Sequence, residues 1–446
     1  MGPFRKIYDK VAGKLKGDQR AGLASVGWMG MSFGSTLVCK LGSNLLLTRL
    51  LAPEAFGLIG TAMAFLTLLD WLSDLGIEPA LIRHQHGTKA DWLRTGWWIS
   101  TIRGTFVSVI AALAAFPLCQ WYEKPELLGV LLALSTTPFL LSLRSPGMPL
   151  LRRNLNYRGV FIDELTQTAV GSIGSVTLAF FFLPSAWAIV GGTILGAVGG
   201  IVASYILVPI APGKWNLEAR KEICSFGRQV MLNTIVMALW LNIDRLVGLR
   251  FMSATEMGLY TIAFNLVAVL EGLITRTCDV HFSMLSRLQD EQAQNDWQKK
   301  VSWRVTMWLM PLFAVGIMLG QFVIDLLYDD RYAGAGIILS IFMGRLMIRG
   351  IGQLQFQHLL ARGEVKNATF AYGVALAVQF AVFYPLVVNF GGAGLAISGL
   401  ISTTVLTVSQ ALFTNREVTK TCPVMRPVIG TACWMMVPMV AISHWS

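Results

Sequence analysis

Apolar runs of about 20 residues follow one another through most of the chain, and few charges interrupt them. A run of that length crosses the ~30 Å hydrocarbon core of a bilayer as a helix. Inside the bilayer a spanning segment has no water to bond to, so it must satisfy its own backbone; the runs are therefore read as helices and the chain as all-α. Composition points the same way. Of the 446 residues 54% are hydrophobic and 14% charged, against about 25% charged in a typical soluble chain. A string of soluble domains is excluded.

The pattern predicts a polytopic membrane protein of about 13 transmembrane helices. They fall near 24–48, 56–80, 95–118, 127–149, 160–183, 186–210, 229–251, 257–284, 303–327, 333–359, 368–389, 393–413 and 428–444. Loop charge tests this arrangement, because cytoplasmic loops collect Lys and Arg. Of the 36 basic residues, 26 fall on one side, four (Arg49, Lys124, Arg250 and Arg331) on the other, and six inside spans. The rich side takes the N-terminus, which is therefore expected to be cytoplasmic. The short outer loops leave no room for a soluble catalytic domain.

A repeat divides the chain. The stretch Leu47–Leu69, LTRLLAPEAFGLIGTAMAFLTLL, returns at Gly248–Leu270 as GLRFMSATEMGLYTIAFNLVAVL. A shift of 201 places Arg49 on Arg250, Gly57 on Gly258, Ala62 on Ala263, Asp70 on Glu271 and Glu78 on Asp279. Spans one to six and seven to twelve then form two parallel six-helix repeats around a central cavity, with one extra C-terminal helix. The expected division is a basic amphipathic segment 1–21, a lobe 22–210, a polar linker 211–228, a second lobe 229–413, and a loop with the thirteenth helix over 414–446.

The first segment sets Phe4, Ile7, Val11 and Leu15 at helical spacing among lysines and Arg5, as a surface helix on anionic lipid would. No cleavable signal is legible in it. The net charge of +11 does not point to nucleic acid, because the bases are confined to loops of one sidedness. Six cysteines form no CxxC pair and read as small core residues.

Charges inside spans are costly and by default face protein or a water-filled cavity. The bases at depth are Lys40, Arg103, Arg245, Arg276, Arg345 and Arg349. Their donors suit an anionic group such as a diphosphate. The competing reading makes them internal ion pairs, Asp244–Arg245 and Glu271–Arg276 among them. Asp70, Asp74 and Glu78 are spaced i, i+4, i+8, as on one helix face. Asp70, Asp74 and Glu271 are the ion-coupling candidates, since burial disfavours a charged carboxyl. Trp92, Trp97, Trp98, Trp121 and Tyr122 sit at span ends as an interfacial belt does. Trp240 lies deeper and is a candidate for stacking on a sugar. The segment YDDRY reads as a solvated outer turn, and neither a metal site nor a cofactor is expected. Walker A, HExxH and GxSxG signatures do not occur, so no enzyme is read here.

TRLLAPEAFGLIGTA followed by DLGIEPALIRH resembles the start of the bacterial polysaccharide/oligosaccharide flippase family, within the multidrug/oligosaccharidyl-lipid/polysaccharide exporter superfamily. NIDRLVGLRFMSATEMGLYTIAFNLV, SMLSRLQDE and ARGEVKNAT are similar to its second-half pattern, and the resemblance covers about residues 24–413. Many relatives are similar to a fourteen-span plan, from which the C-terminus departs. The resemblance implies transfer of a polyprenyl-diphosphate-linked oligosaccharide to the periplasmic leaflet for surface or exopolysaccharide, by ion- or potential-driven alternating access. It also implies membrane lipids as partners, with a polysaccharide polymerase and other assembly proteins beside them. The alternative of the same architecture is a cation-coupled drug antiporter. A membrane glycosyltransferase would need a large hydrophilic loop, and a major-facilitator transporter a glycine-led basic loop where RHQHGTKADWLR stands.

Overall fold

The structure, a computed structural model, describes residues 17–414 apart from 75, 155, 183 and 286–289. Most of the expected basic surface helix and all of the thirteenth span lie outside the described residues. Fourteen α-helices follow in order: α1 Gly17–Leu50, α2 Pro53–Leu72, α3 Ile77–Arg83, α4 Ala90–Tyr122, α5 Glu126–Leu134, α6 Thr137–Ser142, α7 Met148–Arg153, α8 Tyr157–Phe181, α9 Ala186–Leu207, α10 Leu217–Phe251, α11 Ala254–Leu285, α12 Glu291–Leu327, α13 Ala335–Ala361 and α14 Val365–Phe413. No strand occurs among the described residues. The protein is an all-α, multi-pass membrane protein. Six helices are long and apolar enough to span by those criteria alone: α2, α4, α9, α13, α14 and the Ala254–Thr275 part of α11.

Four expected spans take a different form. The second breaks after Leu72. Ser73 caps α2, Gly76 adopts a left-handed φ of 55°, and Asp74 Oδ1 accepts the Gly76 N–H at 2.9 Å before α3 begins. Asp70, Asp74 and Glu78 therefore do not share one helix face; Asp74 closes a turn. The fourth span divides into α5, α6 and α7, and Pro125, Pro138 and Pro149 all lie in the first turns of the pieces, where a missing N–H costs no hydrogen bond. The eleventh and twelfth merge into α14, bent at Gly391 with φ 52°. The second half of the expected linker is the start of α10.

The chain forms two compact units, residues 1–52 with 62–231 and residues 53–61 with 232–446. In the first, α8 and α9 meet backbone to backbone. A Cβ on Gly192 would stand 2.6 Å from the Gly171 carbonyl oxygen, so small residues set this approach. Helix α1 lies on α8, with Trp28 against Phe161 and Ser43 bonded to Ser172. Asn156 caps α8 by accepting the Gly159 N–H. Asn156→Ala is expected to lower stability by about 1 kcal/mol, read as a lower unfolding midpoint in detergent; an unchanged midpoint would show the cap to be idle. The polar segment before α10 is tied to α4: Arg94 Nε and Trp98 Nε1 donate to the carbonyls of Ala211 and Gly213.

In the second unit α13 is the core helix. It is apolar around most of its circumference and buried along most of its length, as such a helix must be. Against it lie α11, α12 and α14. Residues 53–61 of α2 belong here because they touch the start of α11, residues 254–261. A Cβ on Gly57 would stand 2.2 Å from the Ala254 carbonyl oxygen, and one on Gly258 would run into the Pro53 carbonyl oxygen. Gly60 packs on Thr261, and Thr255 Oγ1 donates to Glu54 Oε1 at 2.6 Å. The YDDRY turn ends in a 3₁₀ turn, Asp330–Tyr332. There the Asp329 carboxylate accepts from Arg331 Nη2 at 2.6 Å and holds that guanidinium above its usual range.

Candidate functional site

Within the first unit, α2, α3, α4, α6, α7, α8 and α9 surround a cavity of about 660 Å³. Its walls carry three guanidinium groups and four carboxylates, and each Arg holds a carboxylate. Arg103 on α4 meets Asp70 on α2, Nη2 to Oδ1 at 3.0 Å, and also donates to the Asp70 carbonyl and Ser73 Oγ. Arg152 on α7 bridges Glu78 on α3 at 3.0 Å and Glu164 on α8 at 3.7 Å. Arg144, in the turn before α7, bonds Asp163 on α8. Ser32 of α1 donates to Glu164. Pairing does not exhaust the donors: the buried Nε atoms of Arg103 and Arg144 have no partner. The break after α2 is what builds this cavity, because it turns Glu78 onto a separate short helix opposite α8.

The deep bases of the second unit are arranged differently. Asp244 on α10 is fully buried, and its Oδ2 accepts from Arg345 Nη1 at 3.1 Å and from the Tyr260 hydroxyl at 2.6 Å. Arg345 Nε donates to Thr403 Oγ1. Arg349 pairs with Glu271 at 2.6 Å. Arg245 donates to Asn242 Oδ1 and stands 4.2 Å over the Phe264 ring. The guanidiniums of Arg345 and Arg349 lie 5.7 and 5.3 Å from the Trp240 ring centroid. Trp240 is 1% exposed, donates Nε1 to Ser402 Oγ and packs against Tyr372. It is a core residue, with no face presented for a sugar. Of the ion pairs expected as the competing reading, Asp244 takes Arg345 and Glu271 takes Arg349.

Of the predicted bases, the structure brings Arg103 to the cavity of the first unit and locks Arg245, Arg345 and Arg349 into the second. Lys40 is exposed on α1, and the Arg276 side chain lies outside what is described. Asp70 lines the cavity. Sequence reasoning did not single out Arg144, Arg152, Asp163 or Glu164. The signal that marks them is two adjacent acids, Asp163 and Glu164, inside an apolar span that call for basic partners. Among the described residues no cluster of three His, Cys, Asp or Glu could hold a metal.

The fold is that of solved structures of the lipid II flippase MurJ, inward closed (TM-score 0.71, 14% identity, 90% of each chain), and of a MATE multidrug resistance transporter, inward facing (TM-score 0.67, 15% identity, 86% of this chain and 95% of the other). At the level of sequence, the model of the polysaccharide biosynthesis protein family matches residues 46–337, and the chain belongs to that family. It is 23% identical to the lipopolysaccharide biosynthesis protein WzxC of Escherichia coli over 74% of this chain and 67% of that one. It is 21% identical to the succinoglycan biosynthesis transport protein ExoT of Rhizobium meliloti, over 78% and 74%. The resemblance drawn from the paired TRLLAPEAFG and FMSATEMGLY stretches thus holds.

Proposed function

We propose that the protein is a flippase that moves a polyprenyl-diphosphate-linked oligosaccharide from the cytoplasmic to the periplasmic leaflet of a bacterial inner membrane, for surface or exopolysaccharide assembly. Its N-terminus is cytoplasmic, and it carries out transport rather than catalysis. An ion gradient or the membrane potential drives alternating access. The observation that carries this reading is the cavity of the first unit, where Arg103, Arg144 and Arg152 converge from three parts of the chain. The Nε atoms of Arg103 and Arg144, which have no hydrogen-bond partner, support an oxyanion as the ligand. The diphosphate competes with Asp70, Glu78, Asp163 and Glu164 for these guanidiniums, so binding loosens pairs that otherwise link α2, α3, α7 and α8. Family membership and the printed names of WzxC and ExoT support the same cargo class.

The test is reconstitution in liposomes with a labelled polyprenyl-diphosphate oligosaccharide, following leaflet accessibility with and without an ion gradient. Arg103→Gln combined with Arg152→Gln is expected to slow transfer about a hundredfold, the combined effect of two charge-assisted bonds of about 1.5 kcal/mol each. Transfer at the wild-type rate in this variant would remove the diphosphate from the cavity. The second reading, a cation-coupled antiporter, draws on the four carboxylates of the same cavity. It is selected if wild type moves no lipid-linked sugar under any gradient yet exchanges an organic cation.

A further inference from the structure

On the other side of Arg103 from the polar cavity lies a second recess, an apolar groove of about 730 Å³. Its floor is buried, with Ile99 and Val107 on α4, while Ile102 and Phe106 form a rim that is 58% and 61% exposed. These side chains recur at helical spacing from Ile99 to Ile110, a run of about 16 Å. Leu69 and Leu72 of α2 make the facing wall, and Trp215 and Arg220 close one end. Arg103 lines both the groove and the polar cavity.

We propose that this groove between α2 and α4 is the track of the cargo's polyprenyl chain, with Arg103 at the seam between chain and diphosphate. The proposal rests on the flippase reading above. Continuity is the first argument. An amphiphile whose charged head enters the cavity must pass its chain out somewhere, and the one residue common to the two recesses is the base that meets a phosphate. Charge is the second. Arg103 lies 13 residues into α4, about 20 Å along the helix from its first residue. The third span is expected to begin near residue 95, which puts Arg103 about 12 Å into it, whereas an ordinary glycerophospholipid keeps its phosphate at the interface. A lipid that brings phosphate to that depth is one whose head is drawn into protein. Away from Arg103 and from Trp215 and Arg220 at the closed end, the groove offers no polar side chain but Ser73, whose hydroxyl already accepts from Arg103. That surface suits an unfunctionalised hydrocarbon.

The experiment separates chain from head. Wild type, Ile102→Trp and Leu113→Trp are reconstituted in liposomes. Each is given the same oligosaccharide diphosphate on a long polyprenyl chain or on a two-isoprene chain, the latter read as uptake into the lumen. Leu113 is 70% exposed on the same helix but outside the groove, so its variant controls for added bulk. Ile102→Trp narrows the groove and is expected to slow the long-chain cargo about tenfold, the scale of one lost well-packed contact, while leaving the short-chain cargo within twofold of wild type. Leu113→Trp leaves both unchanged. Matched unfolding midpoints confirm that the variants fold. Equal slowing of both cargoes, no slowing of either, or the same effect from Leu113→Trp overturns the groove while the flippase reading stands. Failure of wild type to move either cargo removes the flippase reading and this proposal with it.

Discussion

Arg345→Met is expected to cost about 3–5 kcal/mol of stability, because it leaves a buried carboxylate without its counter-charge. Asp244 is fully buried, and the other donors on its carboxylate are a neutral tyrosine hydroxyl and a backbone N–H. Neither replaces a guanidinium. The penalty belongs to the orphaned charge and not to the loss of an attraction, so the double variant Asp244→Asn, Arg345→Met should regain most of it. Unfolding midpoints in detergent for the two singles and the double form the cycle. A single variant within about 1 kcal/mol of wild type would mean that the pair does not hold α10 to α13. The prediction also bears on function. A base committed to Asp244, Thr403 and the Trp240 face is a poor ligand for cargo, and transport by the stabilised double variant should be close to wild type.

Gly258→Val should be the next most damaging change. A Cβ there would run into the Pro53 carbonyl oxygen, and the carbonyl carbon would stand 2.5 Å away. The obstacle is backbone, which cannot rotate aside as a side-chain tip does. A loss of about 3 kcal/mol or more is expected, with low recovery of folded protein. Gly373 on α14 is the control, since a Cβ there meets nothing within 4 Å. Gly373→Ala should be neutral or stabilise by up to about 1 kcal/mol through helix propensity. Equal behaviour of the two variants would refute the close approach.

Class and family were legible because they rest on features that survive without packing: run length, loop charge and two similar stretches. The site was legible only in part. Arg103 stood out because it lies deep in an apolar run. Arg144 lies at the end of the fourth expected span and Arg152 just beyond it, where basic residues are read as markers of sidedness, and nothing local distinguishes a loop base from one folded back onto α8. Arg345 stood out for the same reason as Arg103, yet it serves the core. Depth in a span reveals that a charge needs a partner; it does not reveal whether the partner is Asp244 or a ligand. The break after α2 had a signal in Asp74-Leu75-Gly76, a turn sequence that the hydrophobicity around it masked.

The contacts between Glu54 and Thr255, Gly57 and Gly258, and Gly60 and Thr261 all join a residue to the one 201 positions later. With the two stretches taken as the copies that the sequence leads one to expect, each such contact sets a position against its own counterpart, as at the centre of an isologous interface. Such a contact is indifferent to which side supplies which partner. Exchanging the two residues, Glu54→Thr with Thr255→Glu, leaves the same carboxylate facing the same hydroxyl, whereas either change alone sets two like groups against each other. Ordinary packed pairs do not tolerate that trade, because their two sides have unrelated surroundings.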